Sequence, residues 1–149
     1  MNADLHQPIL MVEDSPEDFH TMLRAFQKAG LVNPLVWCED GDEALEYLFC
    51  RGKFAPPAHG PRPGIILLDL NLPGTDGHEV LSVVKSNAEL KKIPVIILTT
   101  SSAEQDIDRC YAAGASSYIC KPVGLENFMQ AIQRLKEYWF EIAVFPKGE

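Results

Sequence analysis

Short runs of apolar residues alternate along this chain with longer segments in which apolar residues recur every three or four positions. The first pattern is typical of strands that are covered on both faces of a sheet, and the second is typical of amphipathic helices. The apolar runs predict strands at 8–12, 35–38, 65–70, 95–99 and 117–120.

Each predicted strand is followed by a segment with helical spacing. In the first helix, Phe19, Met22, Leu23 and Phe26 share one face, and the helix is expected to stop before Gly30. Because crossover helices must cover both faces of a parallel sheet, the alternation predicts an α/β fold with a doubly wound, five-stranded parallel sheet. Further helices are expected at about 41–51, 77–87, 103–113 and 125–139, and an extended proline-rich surface loop at 52–64.

Polar residues follow the predicted strands at their carboxyl ends, where an open α/β sheet has its ligand site. They are Glu13 and Asp14 after the first strand, Asp69 after the third, Thr99 at the end of the fourth and Lys121 after the fifth. Carboxylates brought together repel one another unless a cation compensates, so the cluster predicts a hard divalent metal, and Mg²⁺ fits best. An aspartate can also accept a phosphoryl group while an ammonium and a hydroxyl stabilise the developing charge.

Taken singly, these residues have ordinary structural interpretations. Asp69 alone is equally consistent with a turn former or helix cap, and Glu13 and Asp14 with capping of the helix that starts near Pro16. Thr99 alone would be a strand residue, Lys121 alone a solvated charge, and an aromatic residue such as Tyr118 a ring at the core edge. Their combination favours the functional interpretation.

The five residues, in this order, resemble the signature of the response-regulator receiver family. The segments Asp69-Leu70-Asn71-Leu72-Pro73-Gly74-Thr75-Asp76-Gly77 and Ala113-Gly114-Ala115 add to the likeness, which covers almost the whole chain. The resemblance implies one flavodoxin-like (βα)5 receiver domain over 1–149, with a core at about 8–140 and an apolar extension at about 141–149. It also implies a protein that accepts a phosphoryl group on Asp69 from a histidine kinase, and not a turnover enzyme for an external substrate.

The resemblance further implies a role for each site residue. The Mg²⁺ ligands would be Asp14, Asp69, the main-chain carbonyl of Asn71 and, through water, Glu13. Lys121 and Thr99 would stabilise the phosphoryl group. Thr99 and Tyr118 would form a switch, in which the hydroxyl moves to the phosphate and the ring moves into the space it leaves.

Two positions and two alternatives qualify this interpretation. Thr100 stands where most receivers carry a small residue, and we expect it to affect reaction rates; we also expect the Lys121-Pro122 bond to be cis. An aspartyl-phosphate hydrolase of the haloacid-dehalogenase kind would need a second aspartate where this chain has Asn71. A receiver-shaped module without phosphorylation would ordinarily lack Asp69 or Lys121.

An apolar tail follows the last predicted helix and leaves two alternatives open. The tail either folds back on its own domain or forms a symmetric dimer with a second copy of the chain. The residues expected in the dimer interface are Phe128, Ile132, Leu135, Trp139, Phe140, Ile142, Val144 and Phe145.

The tail, the proline-rich loop and the sequence Leu67-Leu68-Asp69-Leu70-Asn71-Leu72-Pro73 resemble the small response regulators that are paired with cyanobacterial phytochromes. This finer resemblance implies a phytochrome-type histidine kinase as partner and a homodimer formed through the last helix and tail.

The net charge of the chain limits the classes of molecule that it is expected to bind. Thirteen basic and 21 acidic residues give a formal net charge of −8, which opposes binding to nucleic acid and anionic membranes, and we expect a cytoplasmic protein. The four cysteines lack zinc-like or redox-like spacing and are expected to be ordinary thiols. The four histidines, His6, His20, His59 and His78, are expected at the surface.

Overall fold

The computed structural model describes residues 7–146, so His6 and the last three residues of the predicted tail lie outside the described part. Five strands form one parallel sheet in the order β2-β1-β3-β4-β5. They are β1 (Ile9–Val12), β2 (Leu35–Cys38), β3 (Ile65–Leu68), β4 (Val95–Thr99) and β5 (Ser117–Cys120). The predicted doubly wound α/β fold is therefore confirmed, and β3 ends one residue before Asp69.

Five helices alternate with the strands and begin close to their predicted positions. They are α1 (Pro16–Lys28), α2 (Gly41–Phe49), α3 (Gly77–Ser86), α4 (Glu104–Ala112) and α5 (Leu125–Glu137). The first three are capped by Ser15, Asp40 and Asp76, whose side chains each accept a hydrogen bond from the N–H three residues on. Within residues 7–146, no helix is both long enough and apolar enough to cross a bilayer.

Successive strand residues face opposite sides of the sheet, and each side has its own apolar layer. Leu10, Ile66 and Ile97 pack against α2, α3 and α4, whereas Met11 and Ile96 pack against α1 and α5. Side chains of β1, β3 and β4 are almost wholly buried, because helices cover both faces. The interior of the sheet is consequently apolar, and the polar residues that follow its strands lie at its ends.

The loop between α2 and β3 is less extended than we predicted. It contains a short 3₁₀ turn, Gly52–Phe54, and is tied to α2 by the Tyr47 hydroxyl, which donates to the Pro61 carbonyl at 2.8 Å. The side chain of Phe54 packs edge-on against the ring of Tyr47. An aromatic contact and a hydrogen bond thus hold a segment whose prolines indicated only a surface connection.

The structure corrects part of the interface that the stripe along α5 suggested. Phe128, Ile132 and Leu135 are buried in the protomer's own core against the sheet and α1, so these three side chains are unavailable to a second copy. The inward face of α5 takes them because the sheet would otherwise lose the apolar cover of one face.

After α5 the chain makes one π-helical turn, Tyr138–Ile142, and then runs extended. Trp139, Phe140 and Phe145 fold back as a half-buried aromatic group, with the Phe140 and Phe145 ring centroids 5.4 Å apart. Ile142 and Val144 are exposed, at 66% and 80% of their surface. The rings of the described tail therefore fold back on their own domain, the first of the two alternatives, while its exposed aliphatic side chains leave the dimer a prediction.

The burial of Ile132 predicts a large loss of stability on its truncation. Ile132→Ala should lower the free energy of unfolding by about 2–5 kcal/mol, because it removes methyl groups from a filled core and leaves a cavity. Val32→Ala, at a position 68% exposed, is the control and should change it by less than about 0.5 kcal/mol. Urea unfolding of the two variants measures this, and equal effects would contradict the placement of α5.

Candidate functional site

Three carboxylates meet where β1 and β3 end side by side. The N–H of Asp69 donates to the Val12 carbonyl at 3.1 Å, which places Asp69 next to the residues that follow β1. Carboxylate oxygens of Glu13, Asp14 and Asp69 all lie within 4.8 Å of one another. Glu13 and Asp69 are buried and Asp14 is exposed, so the cluster opens to solvent on the Asp14 side. The structure thus brings together the carboxylates that the strand ends predicted.

The ammonium of Lys121 reaches this cluster from the last strand. The Lys121 N–H donates to the Thr99 carbonyl at 2.7 Å and extends the pairing of β4 and β5 by one step. Its Nζ donates to Glu13 Oε1 at 2.7 Å and to Asp69 Oδ2 at 3.1 Å, and the side chain is only 6% exposed. A third bond, to Asp18 Oδ2 at 2.8 Å, uses the last of the three N–H donors of the ammonium.

Burial and charge act against each other in this group. Burial raises the pKa of Glu13 to about 7, although the hydrogen bond and positive charge of Lys121 pull it down. Burial lowers the pKa of Lys121, but its bonds to Asp18 and Glu13 and the charges of Glu13 and Asp69 outweigh this and raise it. Lys121 therefore stays charged, while Glu13 takes a proton more readily than an ordinary glutamate does.

Thr99 supplies an unsatisfied hydroxyl beside the cluster. Its Oγ1 is fully buried and has no hydrogen-bond partner in the described part of the chain. Because an unpaired buried hydroxyl is costly, it indicates a group that gains its partner only when something binds. The neighbouring Thr100 is exposed, and its effect on rates stays a prediction.

Tyr118 lies near Thr99 across the β4–β5 pair. Its hydroxyl donates to the Ser101 carbonyl at 2.9 Å, in the loop that follows β4. Ile97 of β4 is the strand neighbour of Tyr118, which places the ring two residues below the Thr99 end of that strand. The expected switch pair is therefore close together and linked through the loop 100–103.

One backbone expectation is corrected. The Lys121-Pro122 bond is trans, and the cis bond found among residues 7–146 is Pro56-Pro57. Pairing of Lys121 with the Thr99 carbonyl already directs the lysine toward the cluster.

Sequence reasoning missed three residues that hold the cluster. Asp18, in the first turn of α1, is the third carboxylate on Lys121. Ser15 donates its N–H to Glu13 Oε2 at 3.2 Å, and the Trp37 indole donates to the Glu13 carbonyl at 2.7 Å. An acidic residue in a first helical turn is usually explained by the helix dipole alone, so the sequence offered no separate signal for Asp18.

The prediction that His78 is a surface residue was wrong. Its side chain is 10% exposed, with Nε2 3.0 Å from Asp106 Oδ1 and Nδ1 3.8 Å from Cys110 Sγ. Two residues of α4, Asp106 and Cys110, contact the two ring nitrogens. His20 and His59 are exposed as expected.

The four cysteines are free, as expected. Cys38 and Cys110 are buried, and burial raises the pKa of the Cys38 thiol to about 12 and that of Cys110 to about 11. Both thiols are therefore protonated and unreactive at neutral pH.

The residues at the sheet edge fit a hard divalent cation together with a phosphoryl group. All three clustered side chains offer carboxylate oxygens, the ligands that Mg²⁺ and Mn²⁺ accept. The Asn71 N–H donates to Asp69 Oδ1 at 3.2 Å, which keeps the Asn71 main chain beside the cluster. Lys121, which binds Asp69, and the unpaired Thr99 hydroxyl at the end of β4 are the donors that a tetrahedral anion on Asp69 would need.

Comparison with known proteins decides the family. The family model described as "Response regulator receiver domain" matches residues 9–133. The chain belongs to the response regulator receiver family. It is consequently a protein of two-component signalling, and the resemblance that the sequence suggested is confirmed.

Two curated relatives align with this receiver over most of their own length. It is 39% identical to the methanogenesis regulatory protein FilR2 of Methanothrix harundinacea, over 88% of this chain and 82% of FilR2. It is 36% identical to the response regulator Rcp1 of Synechocystis, over 93% of this chain and 92% of Rcp1.

Solved structures give the same assignment. The phosphorylated cyanobacterial phytochrome response regulator RcpA superposes with a TM-score of 0.89 at 38% identity, covering 95% of this receiver and 99% of RcpA. The Mn²⁺-bound form of Rcp1 has the same TM-score at 35% identity, with coverage of 95% and 99%. The likeness to phytochrome response regulators, first suggested by the tail and the proline-rich loop, is confirmed.

The carboxylate cluster predicts that a divalent cation stabilises this receiver. Mg²⁺ at 100 times its dissociation constant should raise the free energy of unfolding by about 2.7 kcal/mol. Asp14→Asn should abolish most of this gain, whereas Asp42→Asn, an exposed carboxylate outside the cluster, should retain it. Thermal unfolding with and without Mg²⁺ measures the effect; equal gains in both variants would place the cation elsewhere.

Proposed function

We propose that this receiver accepts a phosphoryl group on Asp69 from a phosphohistidine of a sensor histidine kinase, with Mg²⁺ at the carboxylate cluster. One observation carries the proposal: a buried ammonium binds Asp69 directly, and the strand next to β3 ends at Thr99, whose buried hydroxyl has no partner among the described residues. Lys121 offers positive charge at Asp69 and Thr99 offers a hydroxyl donor, and the clustered carboxylates offer metal ligands. Phosphoryl transfer needs both kinds of stabilisation.

The reaction exchanges one bond to phosphorus for another. A carboxylate oxygen of Asp69 forms a P–O bond as the P–N bond to the kinase histidine breaks, and the ring nitrogen leaves with the electron pair. Asp14, Asp69, the Asn71 carbonyl and, through water, Glu13 would hold Mg²⁺. The bound ion would neutralise negative charge on the phosphoryl oxygens. Lys121 and the Thr99 hydroxyl donate to the same oxygens. Slow attack by water on the acyl phosphate then returns Asp69 to its carboxylate.

The signal would pass from Thr99 to the surface through the loop after β4. When the Thr99 hydroxyl turns to the phosphoryl group it pulls on a loop whose Ser101 carbonyl is bonded to Tyr118. Ser101 Oγ also donates to Asp106 Oδ2 at 2.6 Å, and Asp106 contacts His78. Movement of this loop therefore reaches α4 and α3 together, which turns a local charge change into a change of surface.

We assign the partner kinase to the phytochrome type. The support is the likeness to RcpA and Rcp1 over nearly the full chain. Free thiols throughout the described part suit a reducing compartment, so we place the exchange in the cytoplasm. The net charge of −8 makes protein contacts, and not contacts with nucleic acid, the route of output.

We also propose a homodimer formed through the outward side of the tail. Tyr138, Ile142 and Val144 are exposed by 53%, 66% and 80% and lie within seven residues of one another. The half-buried rings of Trp139, Phe140 and Phe145 lie beneath them and extend the apolar surface. A second copy of the same patch would cover these side chains about a twofold axis.

Phosphorylation of Asp69 is tested with acetyl phosphate and Mg²⁺. Intact mass should show a gain of one phosphoryl group in the wild type and none in Asp69→Asn, because the amide is not a nucleophile. Asp40→Asn, at a helix cap outside the cluster, is the matched control and should still be phosphorylated. A phosphoryl gain in Asp69→Asn would assign the acceptor to another residue.

The proposed dimer is tested by introducing charged residues into the tail. Ile142→Glu combined with Val144→Glu should raise the dimer dissociation constant by at least about 100-fold, because it places two charges in an apolar contact. Val123→Glu, at a residue 91% exposed after β5, serves as the control and should leave association unchanged. Sedimentation velocity of both proteins decides the matter, and a wild type that stays monomeric at high concentration rules the tail dimer out.

A further inference from the structure

Lys121 is bound by one carboxylate more than the phosphorylation chemistry uses. Its Nζ lies 2.7 Å from Glu13 Oε1, 2.8 Å from Asp18 Oδ2 and 3.1 Å from Asp69 Oδ2. The longest of the three contacts is the one to the phosphoryl acceptor. Of the two shorter bonds, the one to Asp18 holds the ammonium toward α1, so Asp18 competes with the reaction site for the same donors.

Asp18 is the partner that can leave. Its side chain is 32% exposed, whereas those of Glu13 and Asp69 are 2% and 7% exposed, so only Asp18 regains water cheaply when its bond to Lys121 breaks. Its main chain stays in place because the Asp18 N–H is bound to the Ser15 cap at 3.2 Å. A change of rotamer alone would therefore free one N–H of Lys121.

Phosphorylation creates the demand for that N–H. All three donors of the ammonium are occupied before the reaction, and phosphorylation of Asp69 replaces a single carboxylate charge with a phosphoryl charge of about −2 and adds acceptor oxygens. We propose that Asp18 is a positioning residue that restrains Lys121 in the unphosphorylated receiver and must release it before the ammonium can donate to the phosphoryl group. This inference rests on the proposed acceptance of a phosphoryl group at Asp69.

The experiment compares two neutralised carboxylates in the same helical turn. Asp18→Asn removes the charge that binds Lys121, and Glu17→Gln removes an exposed charge that does not bind it. With acetyl phosphate and Mg²⁺, the phosphorylation rate of Asp18→Asn should rise about tenfold, because one hydrogen bond between charged groups no longer has to break. Glu17→Gln should change the rate by less than about twofold, because an exposed charge is screened. Asp18→Glu should return the rate toward that of the wild type.

A spectroscopic measurement separates restraint of Lys121 from a general effect on the fold. The ¹⁵Nζ resonance of Lys121, assigned with Lys121→Arg, should be observable in the unphosphorylated wild type, because its ammonium protons are buried and bound. It should shift or broaden in Asp18→Asn and stay unchanged in Glu17→Gln.

Two outcomes overturn the inference while the function stands: a wild type that is phosphorylated with Asp18→Asn no faster, or Glu17→Gln accelerated equally. An unperturbed Lys121 resonance in Asp18→Asn also overturns it. A wild type that gains no phosphoryl group refutes the proposed function itself, and the inference fails with it.

Discussion

The ammonium of Lys121 compensates a group of buried carboxylates that could not otherwise share one end of the sheet. Glu13 and Asp69 are both almost inaccessible to water, and their mutual repulsion adds to the cost of burial. Lys121 offsets this cost with a hydrogen bond to each of them and one to Asp18. Because the ammonium is itself buried, removal of either side would leave an unpaired charge. The buried ammonium and the buried carboxylates of the site thus compensate one another.

This charge group exists only because the sheet is parallel and wound in one particular order. β1 and β3 are neighbours, so the residues that follow them meet although more than fifty positions separate Glu13 from Asp69. The backbone at Gly77, at the start of α3, lies so close to Asp69 that a β-carbon on residue 77 would collide with the Asp69 carbonyl oxygen. The helices cover both faces of the sheet and leave its carboxyl edge as the place where polar groups gather.

The same geometry links the charge group to the outer surface. Thr99 ends β4 beside the cluster, and the loop that follows carries Ser101, which is bonded to Tyr118 and to Asp106. His78 adds a contact from α3 to α4. The loop after Thr99 is therefore joined by hydrogen bonds to β5, to α4 and, through Asp106, to α3. The tail lies on the opposite face, with α1 and α5, so the proposed dimer contact and the switch loop are on different sides of the sheet.

The sequence alone determined the five strands, their helices and the residues Glu13, Asp14, Asp69, Thr99 and Lys121. It did so because apolar runs buried on both faces have a pattern of their own, and because polar residues directly after such strands share one edge. Only the tertiary structure decided that Asp18 binds Lys121, that His78 lies covered between α3 and α4, and that Ile132 faces the core while Ile142 faces outward. These facts depend on contacts between residues far apart in the chain, and the local pattern of residues does not encode such contacts.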